Sequence, residues 1–511
     1  MGHRELHLVR STLASRVLGV AVAFALLTSV AVAGPAATGQ SGNGAHPTRA
    51  APDMPAPKPV GPTIALSLPE SVFIGLRDNR AIRSAYMERI AQKFDLRVAG
   101  DRFAPRLTIS SAFLARRTDS TTTTTGNFTP VATLLTPTGA LFGFTWATVE
   151  SNTRGGLRSR SSTLDLTVIQ PLLRGAGTTV NTAPLHVAQI EERLNQLRLR
   201  DTVGQTVTRI ILAYRDLLRA QEQRTLADAA LTRARSLVAV NRALIAAGRM
   251  AAVEIVQTEA DVALQELAVL EASNRLDATR LAFLGLIAVD PRTDVRAADQ
   301  LDATPVDVSL ERVLPLALAS RPDYLSQRLV IEQAKLGVTV ARNQRLWDLA
   351  AVGSVGVGHA EFAGLPTPSE SRTAPNASAG LQLTIPLGDL SLEQGEVRAT
   401  TTLRTAEIRL EDLRQQVESE VRDAVREIQT RWRQLETARR ARALAERSLA
   451  IERDKLQVGR SSNFQVLAFE DDLRRAETQQ LDALIQYLNA LTLLDQQLGT
   501  TLDTWQIALN S

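Results

Sequence analysis

Few residues in this chain are arranged for covalent chemistry. Its five histidines, His3, His7, His46, His186 and His359, stand in unrelated settings, and His186 and His359 read as structural side chains. Cysteine is absent, so there can be no disulfide, no thiolate metal site and no lipid-modified N-terminal cysteine. No HExxH, phosphate-binding loop, dinucleotide fingerprint or nucleophile elbow occurs. Gly353, Gly356 and Gly358 read as a close-packed strand, because no helix N-terminus follows them to receive a phosphate. The sequence therefore predicts neither an enzyme nor a cofactor. The polar chemistry that remains is electrostatic, carried by charged residues around two glycine turns, Gly248-Arg249-Met250 and Gly459-Arg460-Ser461.

Those turns interrupt unusually long helical stretches. Between Gly395 and Gly459 there is neither glycine nor proline, and none from Arg460 to Leu498. The first half matches, with Leu185 to Ala247 broken only by Gly204 and a second stretch from Met250 to Leu284. Glycine and proline stop or kink helices, so about 60 residues without them predict rods roughly 90–100 Å long. Along one rod Leu403, Ala406, Leu410, Leu413, Val417, Val421, Ala424, Ile428, Trp432 and Leu435 follow a 3–4 spacing, the pattern of a helix packed on neighbouring helices. That stripe suits a coiled coil and the wall of a tube equally.

The two halves repeat. Leu68, Glu70, Leu76 and Asn79-Arg80 recur as Leu310, Arg312, Leu318 and Arg321-Pro322. Apolar alternations at 106–114 and 351–357 follow, then further ones ending at Pro171 and Pro386. Pro171 to Gly248 is 77 residues and Pro386 to Gly459 is 73, a difference of about one helical turn. The predicted organisation is a first repeat over 63–305 (helix, strand hairpin 106–170, long helix 181–247, tip turn, helix 250–286, linker). The second covers 306–511 (helix, strand hairpin 350–386, long helix 391–457, tip turn, helix 461–498).

Ahead of the repeats, Arg4, Arg10 and Arg16 precede an apolar run from Val17 to Val32 and the small-residue site Ala31-Val32-Ala33. This is the pattern of a secretory signal peptide over 1–33. A membrane anchor is the other reading, but the run is short for a span of about 20 residues. Residues 34–62 form a proline-, alanine- and glycine-rich linker of disordered composition. The net charge of +4 arises from 58 basic and 54 acidic residues interleaved along the helices, without a basic patch for nucleic acid.

No later apolar run is long enough to cross a bilayer as a helix, so any insertion must use strands. Leu164, Leu166 and Val168 alternate with Asp165 and Thr167, and Leu381, Leu383 and Ile385 alternate with Gln382 and Thr384. One apolar and one polar face suit a barrel with lipid outside and water inside. On that reading Leu166, Leu383 and Ile385 face lipid. A half-buried strand of a soluble sheet is the alternative for any one of them. Two short hairpins cannot close a pore, so the chain needs partners. Residues 115–163, with five threonines at 121–125, and residues 358–376 read as exterior loops. The first is long enough for extra strands, for which 141–150 is the candidate. Its Phe142, Phe144 and Trp146 suit either a membrane interface or ordinary packing.

The order of these features resembles the TolC-type outer-membrane efflux proteins, over about residues 66–505. The resemblance rests on the paired helix openings at Leu68 and Leu310, on Gln170-Pro171-Leu172-Leu173-Arg174-Gly175, on Tyr214 with Leu217, and on the two tips with the segments 248–260 and 459–476 that follow. It implies a mostly α chain with a small β part, whose long antiparallel helical hairpins form a periplasmic α-barrel. Four strands or more per protomer would complete a trimeric outer-membrane β-barrel, twelve-stranded in the family pattern. It further implies a homotrimer in outer-membrane lipid, serving as the exit duct of a tripartite pump or type I secretion system. The partners would be a periplasmic adaptor at the tips and an inner-membrane transporter. A non-conducting coiled-coil scaffold is the rival reading. Pro171 and Pro386 would mark strand–helix junctions. The family's acidic constriction, six and nine residues past the second tip glycine, is replaced here by Gln465 and Ala468. Glu254, six past the first tip glycine, keeps a carboxylate that Arg249 or Arg460 could pair with if the turns lie side by side; a solvated glutamate is the plainer reading. Leu456, Phe464 and Leu467 are the apolar constriction candidates.

Overall fold

The computed structural model describes residues 63–118, 121–364 and 367–509. The expected signal peptide over 1–33 and the linker over 34–62 lie outside them. In chain order the elements are β1 (Ile64–Leu66), α1 (Leu68–Asp78), α2 (Arg80–Gly100), β2 (Arg106–Thr118), β3 (Thr121–Leu135), β4 (Leu141–Thr153), β5 (Arg158–Pro171), α3 (Thr178–Ala246) and α4 (Glu254–Leu286). The second repeat follows as β6 (Val295–Ala297), α5 (Leu310–Ser320), α6 (Pro322–Gln344), β7 (Asp348–Gly364), β8 (Thr367–Thr384), α7 (Leu390–Gln457), α8 (Asn463–Leu498) and α9 (Thr501–Thr504).

The rods form as their composition predicts. α3 has 69 residues and α7 has 68, each about 100 Å long. Pro184 falls in the second turn of α3, where it forgoes the bond to the Val180 carbonyl without ending the helix, and Gly204 also passes without a break. The predicted α7 stripe is the buried one, with Val417, Val421, Ile428 and Leu435 packed against Leu484, Tyr487, Leu494 and Leu498 of α8. In the first repeat Val203, Val207, Ile210, Tyr214 and Leu217 of α3 pack with Phe283 and Leu284 of α4 and with Val72 and Ile82 of the opening helices. Each opening helix is divided in two. The Asn79 side chain caps α2 by accepting from the Ala81 and Ile82 N–H groups, and Arg321-Pro322 separates α5 from α6 with proline at the first helical position.

The strand part is larger than four. β2-β3-β4-β5-β7-β8 form one continuous antiparallel sheet of six strands. The predicted hairpin over 106–170 is thus four strands, and the segments expected as exterior loops are mostly strand. The threonine run opens β3, and the stretch around 358–376 belongs to β7 and β8. Threonine's branched Cβ favours extended backbone, which a reading of the run as polar loop overlooked. The candidate strand at 141–150 is present as β4. Pro171 ends β5 and stands seven residues before the start of α3; Pro386 lies between β8 and the Asp389 cap of α7.

A small parallel pair, β1 with β6, ties the start of the first repeat to the link between repeats. Two buried tyrosines clasp that link. The Tyr214 hydroxyl lies 2.9 Å from both the Leu66 carbonyl and an Asp299 carboxylate oxygen. The Tyr487 hydroxyl donates to the Thr304 carbonyl at 2.9 Å and accepts from the Val306 N–H at 3.1 Å. Burial, reinforced by Asp299, pushes the Tyr214 phenol up to about 12, so it stays protonated as a donor. Tyr214→Phe leaves buried acceptors short of a partner and should cost about 1–3 kcal/mol. Denaturant unfolding of the purified chain would read this as a lower midpoint with an unchanged slope.

Candidate functional site

The sheet has two chemically distinct faces. Residues directly opposite in neighbouring strands share a face, so the register joins Leu107 and Ile109 of β2 through Ala132 and Pro130 to Phe144 and Trp146 of β4. The same row continues through Leu166 and Leu164 of β5 to Val355 and Val357 of β7, and on to Ala377 and Pro375 of β8. Leu383 lies on this face opposite Leu349. Although apolar, the row is exposed: Leu166 is 47% accessible, Leu383 53% and Val355 63%. Ile385 falls one residue beyond β8.

The opposite face carries Thr133, Thr145, Thr167, Ser354 and Ser378, with Asp165 and Asn376 on either side of Gly356. A Cβ at Gly356 would collide with both, so the glycine permits this close polar row. Ser354 and Ser378 hydroxyls are 2.7 Å apart and those of Thr123 and Thr153 3.1 Å. His359 stands above the apolar row, hydrogen-bonded through Nδ1 to the Thr373 hydroxyl at 2.8 Å. Phe142, Phe144 and Trp146 all belong to the apolar face, and Trp146 meets Phe128 edge-on at 6.2 Å.

At the far end of the rods the two tips are built alike. The Arg249 N–H reaches the Leu244 carbonyl at 2.8 Å and the Arg460 N–H reaches Lys455 at 2.8 Å. Both enclose a glycine at positive φ, 70° at Gly248 and 74° at Gly459. This closure satisfies the last helix carbonyls and reverses the chain. The turns do lie side by side, but Glu254 is held differently from the expected ion pair. Its carboxylate accepts from the Asn463 Nδ2 at 2.9 Å, and the same nitrogen lies 3.4 Å from the Met250 sulfur. Among the described residues Arg249 and Arg460 form no ion pair within one protomer, and both are exposed.

The apolar constriction candidates separate. Leu456 is 4% accessible and packs with Val466 and Leu473 in the tip core, with Leu467 beside it, so it cannot line an opening. Phe464 is 69% accessible, and Gln465 and Ala468 are also exposed. Ser461 serves the turn itself: its hydroxyl donates to Glu452 at 2.6 Å, and Lys455 lies 2.9 Å from the other oxygen of that carboxylate.

Between tips and sheet, two kinds of helix seam differ in chemistry. The seam joining the repeats is charged. Along α3, Arg200, Arg219 and Arg233 meet Asp503, Asp482 and the pair Glu470 and Glu477, at 2.8–3.2 Å. Arg215 adds hydrogen bonds to the Leu488 carbonyl and the Thr492 hydroxyl. Burial lowers the Arg215 pKa to about 10, which still leaves it charged at neutral pH. This ladder was not read from the sequence, because arginines on a long helix look like a solvated face. The other seams are apolar and unpartnered. Val253, Val256, Ala260, Ala263, Leu267 and Leu270 run exposed along α4, and Ala441, Leu444, Ile451 and Val458 run exposed along the end of α7.

Residues 313–500 match the family model described as outer membrane efflux protein. That stretch, most of the second repeat, is similar to the outer membrane efflux proteins. The chain's fold is that of solved outer-membrane proteins, each at low sequence identity. CmeC of Campylobacter jejuni is 14% identical with a TM-score of 0.63, covering 85% of this chain and 86% of that one. VceC of Vibrio cholerae is 17% identical with a TM-score of 0.63, covering 84% and 96%. The open-state MtrE channel of Neisseria gonorrhoeae is 16% identical with a TM-score of 0.61, covering 85% and 89%. No curated protein matches the chain.

The Glu452 cluster predicts a pH dependence for the second tip. Hydrogen bonds from Ser461 and then Lys455 hold the Glu452 carboxyl below its ordinary value of 4.5. A depressed carboxylate contributes its stability in full above the unfolded pKa and loses it as pH falls through the folded one. Hydrogen exchange across 457–463 should be constant from neutral pH down to about 4.5 and quicken in stronger acid. Glu452→Gln should remove that acid step while leaving exchange in α3 unchanged.

Proposed function

We propose that three copies of this chain form an outer-membrane channel, the exit duct of an envelope-spanning export system, conducting solutes or unfolded polypeptide passively. The observation that carries this reading is the sheet: one face continuously apolar yet exposed, the other hydroxyl-rich, at the end of helices about 100 Å long. A soluble protein would cover such an apolar face; lipid covers it here. Leu166 and Leu383 face the bilayer, while Asp165, Gln382 and Thr384 face the lumen.

The helical seams favour a second copy of the chain as the lateral neighbour. α4 rises from its tip as α7 descends to its own, so an α4 laid against the α7 of the next copy runs antiparallel. Aligned from the tips, Val253 falls opposite Val458, Ala260 opposite Ile451, Leu267 opposite Leu444 and Leu270 opposite Ala441. Each paired number sums to 711, so one register serves the whole seam, and large residues face small ones at two of these levels. Closed cyclic symmetry then gives every copy the same pair of neighbours.

The tips, Gly248-Arg249-Met250 and Gly459-Arg460-Ser461, are the surfaces offered to a periplasmic adaptor, and an inner-membrane transporter supplies the energy. Glu254, Phe464, Gln465, Leu467 and Ala468 lie close enough to the tips to shape the closed end. A non-conducting scaffold is the competing reading. Reconstitution into planar bilayers decides between them: the channel gives discrete conductance steps and the scaffold gives none. Leu383→Arg should cost about 2–4 kcal/mol and abolish heat-stable trimers, whereas Gln382→Arg should assemble and conduct. Equal tolerance of both substitutions would remove the lipid-facing assignment.

A further inference from the structure

We infer that the barrel of this channel is closed by eighteen strands, six from each copy, with the β3–β4 hairpin lying in its wall. The inference rests on the trimeric channel proposed above, whose family pattern has twelve. The geometry points to it in four independent ways.

First, β3 and β4 are in the sheet, not appended to it. β2 pairs with β3 from Arg106↔Thr133 to Thr118↔Thr121, and β4 pairs with β5 from Leu141↔Ile169 to Asn152↔Arg158. The hairpin therefore stands between β2 and β5, the neighbours a four-stranded protomer would pair directly. Second, the inserted strands keep the two-faced pattern. Phe128, Phe144 and Trp146 extend the apolar row, while Thr129, Thr145 and Ala147 continue the opposite face. A hairpin projecting into water would have no reason to match the lipid-facing parity of its neighbours.

Third, the ends of the sheet suit each other. β2 and β8 are its edge strands. With six alternating strands β2 and β8 run in opposite directions, so β8 of one copy meets β2 of the next as an antiparallel pair. Both edges place odd-numbered residues, Leu107 and Ile109 on one and Leu381 and Leu383 on the other, on the apolar face. An unpaired edge in hydrocarbon leaves N–H and C=O groups without partners, so the edges must close on something, and another copy fits.

Fourth, the perimeter matches the helices beneath. Strands about 4.8 Å apart and tilted about 40° each take roughly 6 Å of circumference, so six occupy about 37 Å. Each protomer presents α3, α7 and the stacked pairs α2 with α4 and α6 with α8 as four columns, which at 8–10 Å spacing occupy roughly 32–40 Å. Four strands would span only about 25 Å and would require a taper at the junction. The inner turn of the added hairpin is fixed to the helical layer, since the Gly177 N–H donates to the Thr138 carbonyl at 3.2 Å. Barrel diameter grows about linearly with strand number, so the mouth is about half again as wide as a twelve-stranded one. Its lining is mainly threonine, serine and glycine, so it admits bulky cargo without selecting strongly by charge.

The cysteine-free chain makes the test direct. Single cysteines at Thr145, Ala147, Phe144 and Trp146 would be placed in trimers reconstituted in lipid and treated with a water-soluble, membrane-impermeant maleimide. Strands of the unsubstituted trimer would be counted by electron cryomicroscopy in nanodiscs. The expected result is labelling at 145 and 147, protection at 144 and 146 until detergent denaturation, and eighteen strands. A trimer with twelve strands and labelling at all four positions would overturn the inference while leaving the channel intact. Failure to find any trimer would overturn both.

Discussion

A strand in hydrocarbon cannot leave its backbone polar groups unpaired, and that constraint governs this molecule. The six-stranded sheet exposes an apolar face, so lipid can cover it, but β2 and β8 are open edges. In the proposed channel other copies close them, and cyclic closure then has the helices beneath meet their neighbours in register. The exposed apolar seams on α4 and α7, aligned from the tips, provide that register. Trimer formation, tube and barrel are in this account consequences of one unsatisfied row of hydrogen-bonding groups.

Cohesion within a protomer is of another kind. The seam between the repeats is a ladder of arginines on α3 reaching carboxylates and carbonyls on α8 and α9, several of them half-buried. Buried ion pairs add little net stability over apolar packing, but they are intolerant of slippage. They can fix the axial register of the 36-residue α8 along the 69-residue α3, which smooth apolar stripes leave free to slide. The clasp of Tyr214 and Tyr487 on the link between repeats fixes the same register at mid-height.

The long helices, both tips, the buried α7 stripe and the alternation at Leu166 and Leu383 were legible because each rests on local periodicity or on glycine and proline punctuation. The division of the opening helices at Asn79 and Arg321 was only half visible, as a repeated motif without an assigned break. Strand β3 and the part of β8 before residue 377 were hidden because polar, threonine- and serine-rich alternation is indistinguishable from loop composition until a neighbour supplies the ladder. The tip was misread in detail. Glu254 pairs with Asn463, a buried amide nine positions after α7's Asp454 that no charge pattern announces, and Leu456 turns into the tip core. Sequence spacing locates such residues on a helix, but which of two packed hairpins they face is decided by tertiary contact.

The most direct measurement of the central claim is intermolecular disulfide formation between α4 and α7. With Leu267→Cys and Leu444→Cys in one chain, oxidation in native membranes should join the copies into a covalent three-chain ring on a non-reducing gel. Leu267→Cys with Ile451→Cys, two helical turns out of register, should not. Only monomers from the first pair, or equal crosslinking by both, would contradict the account.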